Sequence, residues 1–130
     1  MPVLNRFAIA NDSNVFDGRG IRSNGAAITY AATIALPIPN RKAFRHYVDF
    51  ADLTGALTLN AADVTQYDEG DEIILRFRSD ANARVVTFGT NFRASGTFTV
   101  GAAATVHVGI AKCIFMDSKI QIISTSSAAL

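Results

Sequence analysis

From Gly70 to Val100 the chain reads GDEIILRFRSDANARVVTFGTNFRASGTFTV. Ile73, Leu75 and Phe77 alternate with Ile74, Arg76 and Arg78, which is the period-2 pattern of a pleated strand. Ser79-Asp80-Ala81-Asn82 supplies turn chemistry, and Val85-Val86-Thr87-Phe88 follows as a second strand rich in β-branched and aromatic side chains. Gly89, Asn91 and Gly96 break that run before Thr97-Phe98-Thr99-Val100 begins another. A stretch patterned this way excludes a helix across its length and contains no nucleophile elbow, metal cluster or phosphate loop.

The same reading extends over the rest of the chain. Ala27 to Leu36 reads as a strand ended by Pro37-Ile38-Pro39, since proline cannot donate to a ladder. In residues 41–50, Phe44, His46, Val48 and Phe50 fit a strand face, while Phe44, Tyr47, Val48 and Ala51 fit a helical stripe. Strand is the preferred reading there. A further strand centres on Leu57 and Leu59. Ala104, Val106, Val108 and Ile110 share one face of the next run, opposite Thr105, His107 and Gly109. The chain closes on a hairpin, KCIFMDSKIQIIST. If Asp117-Ser118 is its turn, Met116 faces Lys119, Phe115 faces Ile120, and Cys113, Phe115, Ile120 and Ile122 form the core side.

Residues 1–26 differ: they are crowded with Asn, Asp, Ser and Gly, and their apolar residues occur singly. This predicts an extended N-terminal arm, with Phe7, Ile9, Phe16 and Ile21 as anchors on a neighbour and Arg6, Arg19 and Arg22 as cations for acidic partner groups. Residues 27–130 are then a single domain. About eight short strands make the expected fold all-β, an antiparallel β-sandwich or jelly roll.

With 130 residues, the chain is long enough to bury a core without disulfides, and its one cysteine, Cys113, allows none within the chain. Charged residues make up 18%, and net charge is +1, a balance that calls for neither nucleic acid nor an anionic membrane as partner. MPVLNRFAIAND lacks the basic start and apolar core of a secretion signal, and the longest apolar run falls short of a membrane helix. The expectation is a soluble protein made in a cytoplasm.

Candidate chemistry is thin. Asp68, Glu69, Asp71 and Glu72 form an acidic cluster without EF-hand spacing, read as a solvated loop. His46 and His107 have no ligand at metal spacing and read as surface or interface strand residues, so neither a metal nor any other cofactor is expected. Cys113 reads as an inert buried thiol. Gly18-Arg19-Gly20 lacks the lysine and helix of a phosphate loop. Arg76, Arg78, Arg84 and Arg93 have two readings: charge-assisted bonds to an adjacent subunit, or solvated residues whose stems cover apolar surface.

EIILRFRSDANARVVTFG, NFRASGTFTV and CIFMDSKIQIIST, preceded by VDFADLTGALTLNAA, together resemble a domain common in tailed-bacteriophage structural proteins. The resemblance covers roughly residues 43–127. It implies a non-enzymatic β-domain of a virion: a capsid decoration (cement) protein on the major capsid protein, commonly trimeric, made in the host cytoplasm. A head-fibre, tail or baseplate component with a receptor- or carbohydrate-binding role is the alternative it implies. Two positions depart from the pattern: Lys119-Ile120-Gln121-Ile122 stands where an aromatic is usual, and Ser118 where the turn has glycine. The missing aromatic argues against a sugar platform.

Overall fold

The computed structural model describes residues 21–23, 27–38, 44–93 and 97–130, with only the backbone of 21–23. The described residues contain strands and no helix. The strands are β1 (Ile21–Ser23), β2 (Thr33–Ala35), β3 (Arg45–Asp49), β4 (Leu57–Asn60), β5 (Glu72–Arg78), β6 (Arg84–Phe88), β7 (Thr97–Val100), β8 (His107–Met116) and β9 (Lys119–Ala129). They form two mixed sheets, ordered β1-β3-β5-β8-β9 and β2-β4-β6-β7.

The expected antiparallel pairing holds only in part. β1–β3, β3–β5, β2–β4 and β4–β6 are parallel, while β5–β8, β8–β9 and β6–β7 are antiparallel. The reason lies in the corners. From β1 to β6 the chain alternates between the sheets, so each strand lies beside the strand two later and runs the same way. Ser79–Asn82 is such a corner, not a hairpin. The corners also stack in parallel, Ile28 on Phe50 and Leu53 on Ser79. The result is a parallel coil whose last turn is covered by the antiparallel β7, β8 and β9. At the other end lie β1 and β2, each the last described strand of its sheet.

Ala27 to Leu36 is not one strand, because the chain turns a corner within it. Ile28 is bonded to the first sheet, donating to the Asp49 carbonyl at 2.9 Å, whereas Leu36 is bonded to the second, donating to Asn60 at 2.7 Å. Residues 45–49 take the strand alternative. His46, Val48 and Phe50 face inward, but Phe44 is 57% exposed.

The inward faces of both sheets share one core. Leu57, Leu59, Val86 and Val100 of the second sheet lie in a single buried cluster with Ile73, Leu75, Phe77, Cys113 and Ile120 of the first. Phe77 stacks on Phe50 with ring centroids 4.7 Å apart and meets Phe98 of the facing sheet edge-on at 6.2 Å. Gly109 makes that meeting possible: a β-carbon there would lie 2.8 Å from Val100 and 3.0 Å from Phe98. The core side of β8 is therefore Gly109, Ala111, Cys113 and Phe115, leaving Val108 and Ile110 half-buried on the outer side.

The terminal hairpin has the register its sequence predicts, Met116 opposite Lys119 and Phe115 opposite Ile120. Asp117 (φ 52°) and Ser118 (φ 65°) are both left-handed, as a two-residue type I′ turn requires, so serine adopts the conformation glycine usually takes. The β8–β9 ladder shifts register at Lys112/Cys113.

Candidate interaction surfaces

The outer face of the first sheet is laced with ion pairs. The register places Arg45 beside Glu72 and Asp49 beside Arg76. Arg45 bonds Glu72 at 2.9 Å, Arg76 bonds Asp49 at 2.8 Å and Arg78 reaches Asp52 at 3.3 Å. Tyr47 and Ile74 lie in register between the Arg45–Glu72 and Asp49–Arg76 pairs, and Ile110 lies opposite Arg76. Arg45, Arg76 and Arg78 thus each have an acidic partner in their own chain, while Lys112 stands exposed on the same face opposite Ile74.

The four arginines singled out in the sequence do not share a face. Arg76 and Arg78 lie on this outer surface. Arg84 begins β6 and bonds Asp80 through two nitrogens, at 2.9 and 2.6 Å. The Arg84 bonds hold the Asp80 carboxyl below the usual carboxylate range. Arg93 lies at the hairpin tip and donates to the carbonyls of Met116 and Asp117, both at 3.2 Å.

The outer face of the second sheet is different in kind. Thr33, Thr58, Thr87 and Thr97 fall in register across all four strands. Ala35, Asn60, Val85 and Thr99 share that face, and none of these eight side chains is charged. Thr33, Ala35, Val85, Thr87, Thr97 and Thr99 are exposed. Methyl and hydroxyl groups on a pleated sheet make a smooth surface. Charge-poor surface is characteristic of the centre of protein–protein interfaces.

The polar groups that the sequence placed on the surface form a buried latch instead. His46 is 3% exposed and Asp71 is 5%. His46 Nε2 lies 3.4 Å from Asp71 Oδ2, and His46 Nδ1 has no hydrogen-bond partner among the described residues. Asp71 Oδ2 also accepts the Asp68 N–H at 2.9 Å, closing the 68–71 turn. Gly70 N–H donates to Phe115, Phe115 N–H to Asp71, and Asp117 N–H to the Glu69 carboxylate, at 2.8, 2.8 and 2.7 Å. The acidic loop is thus the clasp between β3 and the hairpin, which corrects its reading as a merely solvated connection. Tyr67 packs edge-on to His46 at 5.0 Å. Burial, and then the charges of Asp71 and Cys113, push its hydroxyl pKa up. His107 is half-buried, its Nδ1 3.1 Å from the Thr105 carbonyl.

Cys113 is fully buried, and burial pushes its thiol up to about 12 from 9.0. Below pH 9 the thiol is protonated in both folded and unfolded chains. Between those values the unfolded chain releases the proton and the folded chain keeps it, so stability falls as pH rises, by at most about 1.4 kcal/mol per unit. Cys113→Ala is expected to flatten that part of the alkaline slope in denaturant titrations. A difference between wild type and variant that stays constant from about pH 8 to about pH 11 contradicts the burial argument.

Of the residues predicted to contact a partner, Arg6, Phe7, Ile9, Phe16 and Arg19 lie outside the described residues. The backbones of Ile21 and Arg22 belong to β1, so the segment drawn as an arm through residue 26 includes a strand of the first sheet. No group of three or more His, Cys, Asp or Glu side chains suited to a metal occurs among the described residues. No helix among them is long and apolar enough to cross a membrane. No protein-family model matches the chain, and no curated protein matches it either.

Proposed function

We propose that this protein is a structural component of a tailed-bacteriophage particle, a capsid decoration (cement) protein that binds the outer surface of the major capsid protein as a homotrimer. It is made in the host cytoplasm and acts on the virion surface. Its partners are proteins, not nucleic acid or membrane, and its role is non-enzymatic. The carrying observation is the contrast between the outer faces: one sheet carries charges, three of its arginines paired within the chain, while the other presents an uncharged threonine surface. The phage-like motifs support the reading by position, since they occupy β5, β6, β7 and the β8–β9 hairpin. On the same resemblance we assign the two facing sheets to a sandwich-type virion domain. A protein that binds only the assembled shell stabilises that state by mass action, and a trimer raises the effective concentration of each contact.

The parallel coil favours one second reading, a head-fibre, tail or baseplate component with a receptor role. Stacked coils suit an elongated assembly.

The test is co-sedimentation of the purified protein with shells that lack it. Val85→Glu/Thr97→Glu places two charges on the uncharged face while leaving the core intact. Binding is expected to fall at least tenfold, equivalent to about 1.4 kcal/mol or more. Full binding by this variant would remove the face from the account. Light scattering is expected to give three times the 13.9 kDa chain mass.

A further inference from the structure

Arg84 is the one charged residue within the four strands of the second sheet. Its charge is met inside the chain, through the two bonds to Asp80 at 2.9 and 2.6 Å. The first sheet is the opposite case. Arg45, Asp49, Glu72, Arg76, Arg78 and Lys112 all lie on its outer side.

The lack of charge on the second sheet limits what its outer face can hold. Five threonines point outward there, Thr33, Thr58, Thr87, Thr97 and Thr99, beside Ala35, Asn60 and Val85. A threonine hydroxyl both donates and accepts, so it meets neutral donors and neutral acceptors equally well. Asn60 is already engaged, its side-chain oxygen accepting the Thr90 N–H at 2.8 Å. None of the eight side chains is a counter-ion. A partner's cation or anion pressed against them would lose its water without gaining an opposite charge, which is the costly form of charge burial. The methyl groups between the hydroxyls favour apolar contact instead. A net charge of +1 adds little long-range attraction for a charged partner.

We infer that the shell surface met by this face is itself uncharged, made of apolar and neutral hydrogen-bonding groups, so that attachment is independent of ionic strength. The inference rests on the assignment of this face to the shell in the proposed function and adds the chemistry of the site on the partner.

Two measurements on the full chain test it, both by co-sedimentation with purified shells that lack the protein. Raising NaCl from about 50 to about 500 mM screens charge contacts strongly, yet the Kd is expected to weaken by less than about threefold. A larger weakening would overturn the inference. Second, Thr87→Lys and Thr87→Glu each place one charge in the middle of the exposed row. Both are expected to weaken binding by about tenfold, with factors that agree within about threefold. Binding kept or improved with one sign and lost with the other overturns the inference and assigns an oppositely charged site to the shell. The failure of the underlying reading looks different: neither Thr87 variant weakens binding, and Val85→Glu/Thr97→Glu binds fully. A failed salt or sign test with that double variant still defective removes this inference alone.

Discussion

Phe77→Ala is expected to cost about 3–5 kcal/mol, the largest effect of any single truncation proposed here. Phe77 is fully buried at the middle of β5. It stacks on Phe50 of the neighbouring corner and meets Phe98 across the core. Gly109, its partner on β8, has no side chain with which to fill the space left behind. The cavity therefore remains, and the cost includes a void term as well as lost transfer energy. Chemical denaturation with an unchanged m-value measures it. A loss below about 1 kcal/mol would show that the two sheets do not meet at Phe77.

Asp71→Ala is expected to cost about 3 kcal/mol, in the range seen when one partner of a buried pair is removed. The variant loses the contact to His46 and the bond that closes the 68–71 turn. It also leaves Nε2 of the buried His46 without its acidic neighbour, and an unmet buried polar group costs about 1–3 kcal/mol. His46→Leu/Asp71→Leu replaces the pair by apolar side chains and is expected to cost less than the two single changes together. A strictly additive double-mutant cycle would show that the residues do not act as a pair.

The strands were legible in the sequence because their alternation has period 2 and one face of each is buried. Ile73, Leu75 and Phe77 in β5, Val86 and Phe88 in β6, and Phe98 and Val100 in β7 all face inward. The hairpin register was legible too, since a two-residue turn admits one pairing for Phe115 and Ile120. Strand partners were not. Alternation states which face is buried and says nothing about which strand lies alongside, so the Ser79–Asn82 corner was indistinguishable from a hairpin. That ambiguity produced the antiparallel expectation for β1 to β6.

The latch was half legible. His46 already stood on one strand face with Val48 and Phe50, and Asp71 keeps the parity of Ile73, Leu75 and Phe77. Both parities point inward, but residue type argued the other way, for a surface or interface histidine and a solvated acidic loop. What no local pattern shows is that β3 and β5 are neighbours, and only that pairing brings His46 to Asp71. The threonine row was hidden for the same reason: its four members come from four strands separated in sequence, joined only by register. The scatter of Arg76, Arg78, Arg84 and Arg93 follows from the corner as well, which carries Arg84 into the second sheet.

The functional claim is tested most directly by a cryo-EM reconstruction of the phage particle that carries this protein. The account predicts trimeric density of the two-sheet coil on the outside of the head, with the uncharged face of β2, β4, β6 and β7 against the major capsid protein. Density confined to the tail or baseplate, or particles that contain none of the protein, would contradict it.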